Sequence, residues 1–204
     1  MIAEEKRQLI LDEGVPVEVS NHTGQLLFST KAIIGKATKQ ALSEISHEYH
    51  RKAHFVPDLA IDNGLIVKNS VSGDNYITLA TMTEAYGSEV VTKIARMALT
   101  NSVMTVTGFI ETADENGDIT KGEAVKAANL PVYVEVLAAE LKQYQPGQLT
   151  DAEYVIYCPV MDYNVLDKVV IKQGGRSISV KIQYADYLTY EGLVLLHVKT
   201  ETRM

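Results

Sequence analysis

The chain has 204 residues, of which 46% are hydrophobic and 22% are charged. It is therefore long enough to bury a substantial core, and its composition is not that of a disordered protein. Its formal net charge of -7 argues against a surface that grips nucleic acid, because phosphate binding needs clustered Lys and Arg.

Two local features bear on the compartment of the protein. The first fourteen residues are too acidic for a secretion signal, and no stretch approaches the roughly 18 apolar residues of a membrane span. The single cysteine, Cys158, cannot form a disulfide within the chain and lies in an apolar run. We therefore expect a small core residue in a reducing cytoplasm, and no membrane partner.

The N-terminal quarter is predicted to be the helical part of the chain. A short helix over Ile2 to Asp12 ends before Gly14, and Val15–Ser20 and Gln25–Ser29 flank a turn as a hairpin. The strongest helical pattern follows, from Lys31 to Ala53. Its apolar residues recur at spacings of three and four, at Ile33, Ile34, Ala37, Ala41, Leu42, Ile45 and Tyr49.

A change of pattern at Pro57 predicts a domain boundary, because the sequence beyond it is rich in β-branched residues. We divide the chain into residues 1–56, a helical arm with a short hairpin, and residues 57–204, a β-barrel domain. Leu65–Asn69 and Tyr76–Thr81 form a hairpin in this division, and Val90–Ile110 is predicted to be extended.

The last third of the chain reads as four short strands joined by turns. These are Tyr154–Val160, Asp167–Lys172, Ser177–Gln183 and Leu193–Thr200. They close the chain as a small antiparallel sheet or barrel. The predicted fold class is mainly β, an antiparallel β-barrel or sandwich with an N-terminal helical arm, and thus α+β overall.

One pattern occurs twice. The hairpin of Leu65–Lys68 and Tyr76–Leu79, with Gly73 in its turn, resembles that of Val169–Lys172 and Ile178–Val180, with Gly175 in its turn. A duplication would give two equivalent barrel halves, but unrelated hairpins also converge on this pattern.

The search for chemistry is mostly negative. The chain has no nucleophile elbow, phosphate-binding loop or dinucleotide fingerprint, so we predict no enzyme and no cofactor. The weak exception is His47, His50 and His54, which would share one face of the predicted helix and could hold a transition metal. A calcium loop that began at Asp114 would need glycine at its sixth position and glutamate at its twelfth, where the chain has Ile119 and Val125, so Asp114–Asp118 is interpreted as a hairpin tip. Glu111–Lys126 is expected to be mobile before assembly.

Six short segments together resemble head-tail connector proteins of tailed bacteriophages, and more narrowly the stopper or head-completion type. The segments are Asn116-Gly117-Asp118, Val132–Val136, Tyr154–Tyr157, Leu166–Ile171, Ala185–Tyr187 and Tyr190–Val194. The resemblance covers about half the chain, Met104 to Arg203.

The resemblance implies a non-enzymatic virion protein, made in the bacterial cytoplasm, whose β-barrel subunits form a ring in the neck. Its partners would be other copies of itself, the portal or adaptor, and tail proteins, while DNA passes without sequence-specific binding. A ring subunit needs surfaces that neighbours cover. The candidate interface residues are Val194, Leu196, Val198, Tyr187 and Tyr190.

Two alternatives stay open at this point. A tail terminator or tail-side adaptor would share the ring and differ in its partner. A β-barrel that binds a small molecule or carbohydrate is favoured by a group of tyrosines whose faces could stack on sugars. These are Tyr154, Tyr157, Tyr163, Tyr184, Tyr187 and Tyr190.

Overall fold

A computed structural model describes residues 2–37, 48–113, 119–137 and 152–201. Within these ranges the chain forms an N-terminal helix and twelve strands. The elements are α1 (Ile2–Glu13), β1 (Val15–Ser20), β2 (Leu26–Lys36), β3 (His50–Phe55), β4 (Ile66–Asn69), β5 (Asn75–Tyr86), β6 (Glu89–Leu99), β7 (Ser102–Ala113), β8 (Ile119–Val136), β9 (Tyr154–Pro159), β10 (Lys168–Gln173), β11 (Arg176–Asp186) and β12 (Leu193–Thr200).

The strands close into two antiparallel barrels. The first barrel has the order β1-β2-β3-β6-β5-β4, and the second has the order β10-β11-β12-β9-β8-β7. Each has its own core of buried side chains, with Phe55 and Met97 in the first and Met104 and Ile156 in the second. The predicted fold class, an antiparallel β-barrel protein with an N-terminal helix, is confirmed.

The two barrels have the same connectivity. In each, three consecutive strands form one meander and the next three form another, and the meanders join where the third strand pairs with the sixth and the first with the fourth. The hairpins β4–β5 and β10–β11 therefore occupy equivalent positions. These are the two hairpins whose sequences resemble each other.

The helix predicted over Lys31–Ala53 is wrong at both ends of the segment, which form strands; among its described residues only Glu48 and Tyr49 are helical. Residues up to Lys36 continue β2, and His50–Phe55 form β3, which pairs antiparallel with β2 from Ala32 opposite Phe55 to Lys36 opposite Arg51. Residues 38–47 lie outside the described ranges. The cross-strand pairing that closes the barrel overrides the helical spacing, and the β-branched Ile33 and Ile34 suit a pleated surface.

The first barrel takes strands from both sides of the predicted boundary between residues 56 and 57. β3 ends at Phe55 and pairs with β6, and β4 and β5 follow Pro57 in the chain yet belong to the same barrel. The two barrels meet in sequence at Thr100 and Asn101. Residues 1–56 thus supply α1 and half of the strands of the first barrel.

The predicted N-terminal helix is confirmed, and α1 packs on the first barrel. Ile10 of α1 is fully buried. At the edges of the contact, Lys6 pairs with Glu84 and Arg7 pairs with Asp58. No helix in the described part of the chain is both long enough and apolar enough to cross a membrane.

An apolar and aromatic interface joins the barrels. Ile66, Ile77 and Ala98 of the first barrel pack against Tyr133 and Leu193 of the second. The ring of Tyr133 lies 5.6 Å from that of Tyr49 and 5.5 Å from that of Tyr157. These residues form a single apolar cluster that extends from one barrel to the other. The barrels are therefore held together by side-chain packing as well as by the covalent linker.

The linker residue Asn101 adds directional bonds to this interface. Its side-chain amide donates to the carbonyl of Val134 at 2.8 Å and accepts from the amide of the same residue at 2.9 Å. A side chain that pairs with both backbone groups of one residue fixes the linker against β8.

Two glycines let the barrel backbones touch. Gly64 and Gly192 have φ angles of 78° and 76°, a conformation that other residues adopt at a cost. A β-carbon on Gly64 would lie 2.1 Å from the carbonyl oxygen of Gly192. Beside this contact the side-chain amide of Asn63 donates from Nδ2 to the carbonyl of Glu191 at 2.8 Å.

We predict that Gly64→Ala lowers the free energy of unfolding by at least about 2 kcal/mol, since it adds a backbone clash to the strain of a positive φ. Gly73→Ala is the matched control, because Gly73 has the same φ of 78° but open space around it. Gly73→Ala should lower the free energy of unfolding by about 1 kcal/mol. Urea denaturation of both variants measures the difference, and equal losses would contradict a constraining contact between the barrels.

Candidate functional site

The hairpin of β7 and β8 extends beyond its neighbours. β10 pairs with β7 only over Val103–Thr107, and β9 pairs with β8 only over Tyr133–Val136. Among the described residues, 108–113 and 119–124 therefore pair only with each other. We call these residues the hairpin arm. Most of the segment expected to be mobile thus lies in paired strands, and residues 114–118 lie outside the described ranges.

An open cleft of about 880 Å³ lies between the hairpin arm and the connection from β9 to β10. The side chains around it are both charged and apolar. They belong to Phe109, Glu111, Lys121, Lys126, Met161, Asp162, Asn164, Leu166 and Asp167.

A buried ion pair is the best-organised feature of this cleft. Lys126 Nζ lies 2.9 Å from Asp167 Oδ2, and their side chains are 11% and 2% exposed. The amide of Asn164 donates to the same carboxylate at 2.8 Å, and Lys126 also donates to the carbonyl of Asp162 at 3.1 Å. Gly108 makes room for the pair, since a β-carbon there would lie 2.1 Å from Asp167 Oδ1.

The pair ties the base of the hairpin arm to the connection before β10. Burying two charges is costly unless they are paired and hydrogen-bonded, so loss of one partner leaves the other uncompensated. Two further lining charges are paired with each other, since Lys121 lies 2.6 Å from Glu111. The Lys126–Asp167 pair thus holds the base of the hairpin arm against the β9–β10 connection, and the cleft presents both charged and apolar side chains to a partner.

We predict that Lys126→Met lowers the free energy of unfolding by about 3–5 kcal/mol, because it leaves the buried Asp167 carboxylate without its ion-pair partner. Lys168→Met removes an exposed pair with Glu123 of β8 and should change the free energy of unfolding by no more than about 1 kcal/mol. Thermal unfolding of the two variants compares a buried with an exposed pair. Similar losses would show that the Lys126 pair does not hold the arm.

Exposed apolar side chains surround the mouth of the cleft. Phe109 is 62% exposed, Leu166 is 73% exposed and Leu188 is 91% exposed. We call Phe109, Met161, Leu166, Tyr187 and Leu188 the apolar rim. Phe109, Met161 and Leu166 line the cleft, and Tyr187 is joined to Met161 by a hydrogen bond.

Hydrogen bonds hold the loop of the rim that carries Tyr187 and Leu188. The hydroxyl of Tyr187 accepts from the amide of Tyr163 at 3.0 Å and donates to the carbonyl of Met161 at 3.2 Å. The carboxylate of Asp186 accepts from the Thr189 hydroxyl and from the amides of Leu188 and Thr189. These bonds, the Thr189 hydroxyl first, lower the pKa of Asp186.

The candidate interface residues separate into two groups. Val194, Leu196 and Val198 are fully buried in the core of the second barrel, and β12 is paired on both sides by β11 and β9. They therefore offer no contact surface or open edge, and we correct their assignment to core residues. Tyr187 and Tyr190 are exposed beside the β11–β12 turn.

The predicted histidine site does not form as a helical cluster. His50 and His54 lie on β3, and His47 lies outside the described residues. At about 3.3 Å of rise per strand residue, His50 and His54 are separated by about 13 Å, too far to ligate one ion. No group of three metal-ligating side chains converges in the described part of the chain. Burial, more than the nearby Lys52, lowers the pKa of His54.

The tyrosines do not converge on a ligand pocket. Among the described residues that line the cleft there is no tyrosine. Tyr157 packs between the barrels and Tyr163 is buried, and burial raises the pKa of both hydroxyls. Tyr184 packs beside His197 with the ring centres 5.8 Å apart. Cys158 is a core residue as predicted, with its thiol pKa raised to about 12 by burial.

The best-organised residues of the cleft carry no recognisable motif in the sequence. In the sequence Asp167 is only the first residue of a predicted strand, and no pattern singles out Lys126 or Gly108. A local signal existed, because Asn164 and Asp167 form a turn just before a strand. The partner Lys126 is 41 residues away in sequence, and its approach depends on barrel closure.

Comparisons with known proteins add little. No protein-family model and no curated protein matches the chain. One solved structure to which it is similar is described as MrkH, a c-di-GMP-dependent transcription regulatory factor. That match is 6% identical, covers 100% of this chain and 83% of the other, and has a TM-score of 0.22. A similarity this weak carries no argument about fold or function.

Proposed function

We propose that the protein is a non-enzymatic structural subunit of the bacteriophage neck, forming a homo-oligomeric ring that joins the portal to the tail. It is made in the host cytoplasm and ends in the virion. The observation that carries this proposal is the apolar rim beside a projecting hairpin arm. Exposed apolar side chains grouped beside a cleft of a folded protein favour a surface that another protein covers.

The position of the rim supports the same proposal. The three described segments that build it are the hairpin arm, the β9–β10 connection and the loop before β12, all on the second barrel. That barrel, Ser102–Thr200, coincides with the region whose sequence resembles head-tail connectors. The resemblance and the exposed surface thus fall on the same half of the chain.

The hairpin arm provides a second kind of contact. Its strands leave backbone groups unpaired on their outer edges among the described residues. Such edges accept a strand from a neighbouring molecule. An arm of this kind suits a subunit that reaches across to the next one in a ring.

A second candidate function is the binding of a small charged molecule in the cleft. The observation that favours it is the buried Lys126–Asp167 pair, which lines a cleft of about 880 Å³. A tail terminator or tail-side adaptor is the alternative within structural proteins, with the same ring and a different partner.

Light scattering after size exclusion, over a range of protein concentrations, tests the proposal. We expect a ring-sized species, or a monomer that forms one when portal or tail proteins are added. Leu166→Ser with Leu188→Ser should lower the mass at a given concentration, because the double change removes two exposed leucines of the rim. Val71→Ser is the control, since Val71 is 72% exposed in the β4–β5 turn. A monomer at every concentration and with every partner would favour the binding cleft.

A further inference from the structure

Three lysines stand in a row across the outer face of the second barrel. Lys168 lies directly opposite Lys181, and Lys181 lies directly opposite Lys199 on the next strand. All three are exposed. Like charges that face each other on neighbouring strands repel, so this lysine row opposes the stability of its own sheet.

The lysine row is only partly neutralised within the chain. Lys168 pairs with Glu123 at 2.6 Å, whereas no described carboxylate forms an ion pair with Lys181 or Lys199. The chain as a whole has 26 acidic and 19 basic side chains. Exposed cations that no described carboxylate pairs with, on an acidic protein, indicate an anionic partner.

The outer face of α1 has the opposite charge. Its two cations turn to the first barrel, where Lys6 pairs with Glu84 and Arg7 with Asp58. Glu5, Leu9 and Asp12 are exposed, and their spacings of four and three place them on one helical face. This face therefore presents two carboxylates with an exposed leucine between them.

The two surfaces match in size. Strands lie about 4.8 Å apart, so the three lysines span about 10 Å. Glu5 and Asp12 are seven residues apart on a helix that rises about 1.5 Å per residue, which also gives about 10 Å. A helix laid along the row would bring each carboxylate near an ammonium group.

We propose that α1 of one copy docks across the lysine row of the next copy. This interface rests on the proposed function, because it supplies a further contact between ring subunits besides that of the apolar rim. The helix lies on the first barrel and the row on the second, so the contact is head-to-tail. In an open row of associated copies, such a contact leaves one α1 free at one end and one lysine row free at the other. The copies close into a ring where the rotation between them allows it.

Charge reversal in the full chain tests the interface, with light scattering and sedimentation as readouts. Lys181→Glu with Lys199→Glu should weaken self-association at least tenfold, and so should Glu5→Lys with Asp12→Lys. An equimolar mixture of the two variants should associate again, because each then offers the charge that the other needs. Lys36→Glu with Lys68→Glu is the control, since it makes the same change in net charge on exposed side chains of the first barrel.

Single Lys181→Glu separates docking from folding. It converts the row into alternating charges, so its melting temperature should equal or exceed that of the wild-type protein while its association weakens. Loss of association together with a lowered melting temperature would overturn the assignment of Lys181 to the interface.

Other outcomes are equally decisive. Wild-type protein that assembles, with reversal variants that assemble just as well, would overturn this interface and leave the ring proposal standing. A wild-type protein that stays monomeric under all conditions would overturn both. Row variants that keep their assembly but lose binding to a double-stranded DNA oligonucleotide in fluorescence anisotropy would assign the row to a polyanion and overturn the docking of α1.

Discussion

Barrel closure is the constraint on which the rest of the molecule depends. Each barrel closes through two pairings between strands that are distant in sequence, β3 with β6 and β1 with β4 in the first, and their equivalents in the second. Closure satisfies the backbone groups that an open sheet would leave at its edges. The hairpin arm departs from this rule, because β7 and β8 outgrow the strands beside them. The surface best suited to contact with another molecule therefore lies at the hairpin arm, beyond the residues that close the barrel.

The second constraint is the close approach of the two barrels. Gly64 and Gly192 bring two backbones into contact, and the tyrosines around Tyr133 fill the space beside them. The barrels are therefore held in one orientation by side chains and backbone as well as by the linker. A fixed orientation gives α1 and the lysine row a defined separation within each copy. A head-to-tail contact needs this fixed separation, because successive copies must be related by the same rotation.

The sequence predicted the elements whose signals are local. The helix of residues 2–12 and the four C-terminal strands were found because helical spacing, β-branched runs and Gly turns are read directly from neighbouring residues. The helix over Lys31–Ala53 failed for the opposite reason, because pairing with distant strands decides the conformation of Ile33 and Ala53.

The candidate site was harder to predict than the fold. Val194, Leu196 and Val198 belong to an apolar run that is the same in a core strand and in an exposed edge, so sequence could not distinguish the two. The Lys126–Asp167 pair and the lysine row exist only once strands far apart in sequence are in register. Their residues carry no motif of their own.

The central claim is that the apolar rim of the second barrel is covered when the protein assembles. Hydrogen exchange, measured by mass spectrometry on dilute and on concentrated protein, tests this claim most directly. The account predicts slower exchange in the concentrated sample over the hairpin arm and residues 160–167 and 186–190, with no change in strand β3 of the first barrel, where Ala53 and Phe55 are fully buried. Identical exchange at both concentrations, in a sample that light scattering shows to be assembled, would contradict it and place the contact elsewhere on the molecule.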